Sequence, residues 1–221
     1  MFFDVDFTLI HPGPRFQAVG YESTCVRHGI SVSVDRFDAA VAGASVLLDS
    51  SEHLYDAQIF INYTRRIIEL MGGEGPTVEA AASEIYEDWA GNHHFCLYDD
   101  VLGALEALRA RRIRVGLISN GHRRLDAFQA HFALDGLVAV SVSSLDHGYM
   151  KPHPSIFRSA LELMDVPAAE AVMVGDSLLH DVAGARHIGM RGILLARGGG
   201  APHADPDVPV IRSLSELSAL V

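Results

Sequence analysis

The chain has 221 residues, with 17 Lys+Arg against 28 Asp+Glu. Its formal net charge of −11 excludes general binding to nucleic acid or to an anionic membrane as its main task. Apolar residues make up 49% of it, enough for a sizeable core in one large domain or in a core domain with an insert, and too many for a disordered chain. Acidity leaves a small phosphorylated ligand possible, because a metal and a few cations can reverse the field inside one cleft.

Residues 1–10 read as a very short strand, Met1-Phe2-Phe3, running into the turn Asp4-Val5-Asp6-Phe7-Thr8-Leu9. Only three residues precede Asp4, where a strand usually has about five or six. A natural start upstream of Met1 would show as neighbouring strands running past Met1 with unpaired backbone. No basic segment followed by a long apolar stretch opens the sequence, so no signal peptide is expected. No apolar run approaches the roughly 20 residues that span a bilayer. The expectation is a soluble, cytoplasmic protein in which Cys25 and Cys96, lacking metal-ligand spacing, stay reduced.

From Pro14 to His94 the pattern changes. Arg15–His28, Val34–Leu48, Ala57–Met71 and Val78–Trp89 carry apolar residues at helical spacing, separated by Gly, Pro or polar breaks. Residues 14–94 are therefore expected to form an all-helical insert within a core built from 1–13 and 95–221. In that core, helices are predicted at Val101–Arg111, His122–Phe132, Pro154–Met164 and Val182–Ile188. Strands are predicted at Ile113–Ser119, Val138–Ser143, Ala171–Gly175 and Gly192–Ala196. Such alternation predicts an α/β fold with a parallel sheet covered by helices on both faces. Gly198–Pro209 is expected to be a loop, and Ser213–Leu220 a closing helix with Ser213 and Glu216 in a capping box.

Four polar clusters follow apolar runs, and ligands of open α/β sheets bind at such carboxyl ends of strands. Asp4 and Asp6 are two apart on a strand that ends in a turn, so both can reach one pocket. Two adjacent carboxylates repel, which lets one act as nucleophile and the other as general acid and base. An Asx-turn would use the same residues without chemistry. Ser119-Asn120-Gly121 puts a hydroxyl and backbone N–H groups before a helix that contains Arg123 and Arg124. That arrangement suits a phosphate, or plain N-capping. Lys151 lies between Gly148-Tyr149-Met150 and Pro152-His153-Pro154, where the prolines stiffen the loop and start the next helix, so its ammonium can neutralise a carboxylate and a phosphate oxygen. Gly175-Asp176 ends a strand and Asp181 follows. Oxygen-only ligands of this kind suit Mg²⁺, and capping is their other use. Together the clusters suit a Mg²⁺-assisted phosphoryl transfer through an aspartyl intermediate. Among the 12 histidines, His93 and His94 diverge and no His-Glu-X-X-His occurs, so no zinc site is expected. His11, His122, His153 and His180 stand beside motifs as candidates to line the cleft.

The ordered set DVDFTL, LISNG, Lys151-Pro152 and VGDSLLHDVAGARHIGM resembles the haloacid dehalogenase-like hydrolase superfamily over essentially the whole chain. The helical stretch between its first two motifs resembles the small helical cap of members that include many small-molecule phosphatases. The resemblance implies a Rossmann-like parallel sheet sandwiched by helices, with the helical cap domain inserted. It implies Asp4 as nucleophile, Asp6 as general acid/base, and Thr8 supporting the loop conformation. Ser119, with Asn120 close by, would hold the phosphoryl group, and Lys151 would pair with it and with Asp4. Mg²⁺ would be held by Asp4, the Asp6 carbonyl and Asp176 at the end of Gly175, with Asp181 a further ligand or an anchor for water or Lys151. Phe7 departs from the family's common Gly and puts a ring beside the catalytic turn.

The function expected is hydrolysis of a small phosphorylated metabolite. Asp6 and Asp176 argue against dehalogenation, and residues 14–94 contain no Lys for a Schiff base of phosphonatase type. A phosphomutase uses the same motifs and stays open. From another class, a receiver-like signalling module combines acids, a hydroxyl and a Lys on an α/β sheet, but is far smaller and needs no helical insert. A non-catalytic phosphate-binding protein on this fold is disfavoured by the filled catalytic positions. Substrate identity and oligomeric state are not encoded in any motif.

Overall fold

The structure, a computed structural model, describes residues 1–48, 53–198 and 207–220. Strands β1 (Phe2–Phe3) and β2 (Ile10–Pro12) are followed by helices α1 (Ala18–Arg27), α2 (Phe37–Ala44), α3 (Ala57–Leu70) and α4 (Val78–Asp88). Next come β3 (Phe95–Leu97), α5 (Val101–Ala110), β4 (Gly116–Ser119), α6 (Leu125–His131), β5 (Val140–Ser143), α7 (Ser144–His147) and α8 (Pro154–Met164). The chain continues through β6 (Val172–Gly175), a π-helical segment Leu178–Ala183 leading into α9 (Gly184–His187), β7 (Arg191–Leu195) and β8 (Val210–Ile211), and closes with a 3₁₀ segment, Leu214–Ala219. Two compact units result. One holds Met1–His11, His53–Tyr55 and Leu97–Val221, the other Pro12–Glu52 and Asp56–Cys96. No helix among the described residues is long and apolar enough to cross a membrane.

The first unit is the expected α/β fold. Its six strands are all parallel, in the order β5-β4-β1-β6-β7-β8. The shortest strand lies inside the sheet: Phe2 pairs with Gly116 and Met173, and Phe3 with Leu117 and Val174. Strand β4 begins level with it, and β6 one residue earlier, at Val172. Both phenylalanines are fully buried, and Phe2 packs among Ile118, Phe157, Ala160, Met164 and Met173. That packing explains Gly116, where a Cβ would stand 2.6 Å from the Phe2 ring and 2.9 Å from Met164 Cε. Helix α8 begins with Pro154 at its first turn and runs over the predicted residues. In the closing segment both halves of the Ser213/Glu216 capping box form, although the helix is 3₁₀.

The second unit is helical, as its spacing predicts. Helix α3 packs between α2 and α4, burying Thr64, Ile67 and Ile68, and begins at Asp56, whose carboxylate accepts the Gln58 N–H at 2.9 Å. The Val34–Leu48 segment forms as three pieces, with 3₁₀ turns at Val34–Arg36 and Ser45–Leu48 flanking α2. Phe16, Trp89 and Phe95 form an aromatic cluster with ring centroids 4.4, 5.0 and 5.1 Å apart. Arg15 donates to Asp88 at 2.7 Å, and Glu84 is shared by Arg15, Arg27 and His28.

Several elements differ from expectation. Strands β2, β3 and β8 and the single turn α7 have two to four residues, too few for any periodicity to register. Helix α6 starts at Leu125 rather than His122, because Gly121, at φ 145°, belongs to a turn that must first complete. The helix predicted from Val182 begins earlier, as the π segment. Of the loop expected over Gly198–Pro209, residues 199–206 lie outside the described residues.

Gly116→Ala should lower unfolding stability by about 1–3 kcal/mol, because the added methyl overpacks Phe2 between buried strands. Denaturant titration should show a lower midpoint with an unchanged slope. An unaltered midpoint would contradict this packing.

Candidate active site

The site is built where the sheet's central strands end. Asp4 follows β1, and its N–H donates to the Val174 carbonyl at 3.0 Å. Ser119 ends β4 and Gly175-Asp176 ends β6, on either side of β1, so the register brings the first, second and fourth motifs side by side. From β4 the chain goes on to β5 at one edge, then β6 returns to the other side of β1. Such a reversal opens a crevice at the carboxyl ends.

Lys151, the only lysine in the sequence, closes the group. Its ammonium donates to Asp4 Oδ1 at 2.5 Å and to Asp181 Oδ1 at 2.6 Å, and its side chain is 2% exposed. Asn120 grips its backbone reciprocally: Asn120 Nδ2 donates to the Lys151 carbonyl at 2.9 Å, and the Lys151 N–H donates to Asn120 Oδ1 at 2.7 Å. Asp181 is positioned by the π segment, where the N–H groups of Asp181 and Val182 both donate to the Ser177 carbonyl. Its second oxygen accepts the Ser177 N–H at 3.0 Å. Gly175 is required beneath it, since a Cβ there would lie 2.1 Å from Asp181 Oδ2. π-turns are common at functional sites for this ability to re-aim a side chain.

The turn after Asp4 is tight. Leu9 and Ile10 both donate to the Val5 carbonyl, and Phe7 donates to Ile10. Phe7 takes φ 62°, the left-handed region, which costs a non-glycine residue about 1–2 kcal/mol, and its ring is 44% exposed. Thr8 is fully buried, and its carbonyl accepts from Arg197 Nη2 at 2.9 Å. Arg197 also forks onto Asp100 at 2.8 and 3.0 Å and covers the Tyr98 ring at 3.8 Å. Asp100 in turn accepts from Ser213 Oγ and the Leu214 N–H. Asp6, on the same turn, accepts from Arg123 Nη2 at 3.1 Å, and the Arg123 side chain is 2% exposed.

Charge is unbalanced here. Ligand atoms of Asp4, Asp176 and Asp181 all lie within 4.8 Å of one another. Burial raises Asp4 well above the usual carboxylate range. Lys151 pulls it back, while Asp181 and Asp176 push it up. Burial alone would lower Lys151, but Asp181 and Asp4 outweigh it and raise the ammonium. Asp176 is exposed to solvent, yet the desolvation of its carboxyl by the protein around it and then the Asp181 charge push it up to about 7. Three carboxylates around one ammonium are short of positive charge.

All the residues singled out in the four motifs thus gather at one end of the α/β unit, with Asn120 turned to the lysine backbone. Of the candidate histidines, His153 stacks on Tyr149 at 4.1 Å, His11 meets Tyr98 at 4.9 Å, and His180 Nδ1 lies 3.2 Å from Ser177 Oγ. Arg123 and Arg197 are the residues that sequence patterning does not single out for the site. Arg123 and Arg124 are adjacent and alike in sequence, yet Arg124 is 77% exposed and pairs with Asp126. Arg197 lies beyond the last motif, after strand β7.

The haloacid dehalogenase-like hydrolase family matches residues 1–189. Haloacid dehalogenase-like hydrolase domain-containing protein 3 of Danio rerio is 33% identical over 144 residues, 64% of this chain and 60% of that protein. Its Xenopus laevis and Bos taurus counterparts are likewise spanned over 50% and 59% of their lengths. Glyceraldehyde 3-phosphate phosphatase of Pyrococcus abyssi is 29% identical over 90% of this chain and 81% of that protein. Among solved structures, a phosphatase of this family from Thermococcus onnurineus superposes with TM-score 0.68 at 27% identity, covering 99% of this chain and 95% of that one. With the family model matching residues 1–189, most of its length, the chain belongs to the haloacid dehalogenase-like hydrolases.

Proposed function

We propose that this chain is an Mg²⁺-dependent phosphomonoester hydrolase that acts on a small phosphorylated metabolite through an aspartyl-phosphate intermediate. The observation that carries this reading is the buried Lys151 ammonium at 2.5 Å from Asp4 and 2.6 Å from Asp181, with Asp176 in the same cluster. We assign residues 14–94 as a cap that carries substrate specificity. The aligned archaeal relative is named for glyceraldehyde 3-phosphate, which puts small phosphorylated sugars first among substrates to try.

The donor set fits a hard divalent cation. It is made of oxygen ligands, and the raised pKa values of Asp4 and Asp176 mark the negative charge that a cation would offset. Asp4, Asp176 and the Asp6 carbonyl would hold Mg²⁺. Asp181 serves best as the anchor of Lys151, because both its oxygens already accept hydrogen bonds. Bound there, the ion supplies charge neutralisation between the nucleophile and the phosphoryl oxygens.

The residues themselves do the rest. Lys151 neutralises Asp4 enough for its oxygen to approach an anionic ester, and Ser119 with the turn N–H groups holds the phosphoryl oxygens. An Asp4 oxygen attacks phosphorus, the ester P–O bond breaks, and the leaving oxygen takes a proton from Asp6. Asp6, now a carboxylate, accepts a proton from water as that water attacks phosphorus. The bond to Asp4 then breaks, which releases inorganic phosphate and restores both aspartates. Asn120 acts by fixing the backbone that carries Lys151.

Asp4→Asn keeps the shape and removes the attacking anion, so phosphate release should fall by several orders of magnitude in a folded protein. Turnover near wild type would rule the mechanism out. Wild-type release from glyceraldehyde 3-phosphate or p-nitrophenyl phosphate should stop in EDTA and return with excess Mg²⁺. Persistent activity in chelator would remove the metal from the reading.

A third expectation concerns pH. Asp176 has an ordinary carboxyl value of 3.8 and a folded value of about 7. Between these values the folded chain keeps a proton that the unfolded chain has released. This group therefore costs the metal-free fold stability as pH rises through the window. Mg²⁺ binding reverses that cost and must displace the proton at low pH. The Mg²⁺-induced rise in Tm should be larger at pH 7.5 than at pH 5.5, and equal rises would overturn the assignment.

A further inference from the structure

We propose that Arg123 is a positioning residue for this reaction, aiming and restraining the Asp6 carboxyl. The inference rests on the phosphatase reading above and adds a residue to it. Lys151 directs its hydrogen bonds to Asp4 and Asp181, whereas the Asp6 carboxylate is met by Arg123 Nη2 at 3.1 Å. The two cations thus divide the acids between them, one serving the nucleophile and the other the proton carrier.

Burying a guanidinium to 2% exposure is costly, so an arginine is retained there only where a charge partner offsets the desolvation. Asp6 itself is 18% exposed and stands on a turn whose next residue, Phe7, is in the left-handed region. An aspartate in such a turn has rotamers to lose, and a carboxyl that must serve first as acid and then as base at one oxygen gains rate when it is held in line. Arg123 is in turn fixed. It lies in the turn between Ser119 and α6, where Asn120 is tied to Lys151 and the Gly121 N–H donates to Ser144 Oγ at 2.8 Å. The same turn therefore carries Ser119 on one side and the Asp6 restraint on the other. A shift of this turn would move both together.

The test compares Arg123→Met, Arg123→Lys and Asp6→Asn, alone and as the Asp6→Asn/Arg123→Met double variant, with Arg124→Met as the exposed control. Each is assayed with Mg²⁺ on p-nitrophenyl phosphate, whose leaving group needs little protonation, and on glycerol 2-phosphate, whose alkoxide needs a proton. A positioned acid contributes about 10²–10⁴-fold, so Arg123→Met should lose about ten- to hundredfold in kcat/KM on glycerol 2-phosphate and markedly less in kcat/KM on the aryl ester, because kcat/KM reports the step in which the ester bond breaks. Arg123→Lys should recover part of the loss, and it keeps a buried cation if the Met variant folds poorly. In the Asp6→Asn background Arg123→Met should cost almost nothing further. Equal losses in kcat/KM on both esters, or additive losses in the double variant, would overturn the inference while leaving the hydrolase reading intact. A wild-type protein that hydrolyses neither these esters nor glyceraldehyde 3-phosphate would overturn the hydrolase reading, and this inference with it.

Discussion

One buried ammonium organises the functional end of the α/β unit. Lys151 sits between Asp4 and Asp181 at hydrogen-bonding distance, almost without water, and each of the three charges is tolerable only because the others are present. Removing one partner from such a group leaves an uncompensated buried charge, which is far costlier than the pair is stabilising. The geometry around it follows from that constraint. Gly175 has no side chain because Asp181 needs the space, and the π segment widens so that Asp181 points back at the lysine. Asn120 spends both ends of its amide on the lysine's backbone. Gly184 is similarly forced, since a Cβ there would meet Phe157 and Pro152 at 2.8–2.9 Å.

A second arrangement holds the turn that carries the two aspartates. Its left-handed Phe7 is strained, and strain of this kind persists only where the surroundings over-determine the conformation. Arg197 does this from behind through the Thr8 carbonyl, and it is itself locked by Asp100, which also receives the start of the C-terminal 3₁₀ segment. The last element of the fold is thereby connected to the first. Arg123 holds the same turn from the side of the second motif through Asp6. Strand β1, by contrast, needs only two residues, because both its phenylalanines are buried and its backbone is paired on either side.

The motif residues were legible as chemistry because each follows an apolar run and carries a side chain that an ordinary strand end does not need. Asp4, Asp6, Ser119, Lys151, Asp176 and Asp181 all reach the same end of the sheet. Asn120 shows the limit of such reading. Its neighbourhood to Ser119 indicates a phosphate contact, while its amide geometry is taken up by a loop 31 residues away. Arg123 and Arg124 show the same limit in another form. Nothing in their order says which is buried, since that depends on how the turn after β4 closes.

The sequence by itself determined the alternation of strands and helices, the helical stretch before Phe95, the order of the four motifs and the acidic character of the site. These are local properties, carried by periodicity, by turn residues and by side-chain chemistry within a few positions. Tertiary structure alone decided that β1 lies inside the sheet, that β8 exists, that the helix after Asp176 opens as a π turn, and that Asp181 faces Lys151. It also decided that Arg123 and Arg197 hold the turn that follows β1. Each of these depends on contacts between residues tens to nearly two hundred positions apart, as with Arg197 and Thr8 at a separation of 189. Such pairings leave no periodic trace along the chain. They arise only when the parallel sheet sets strand ends side by side and burial forces every charge there to find a partner.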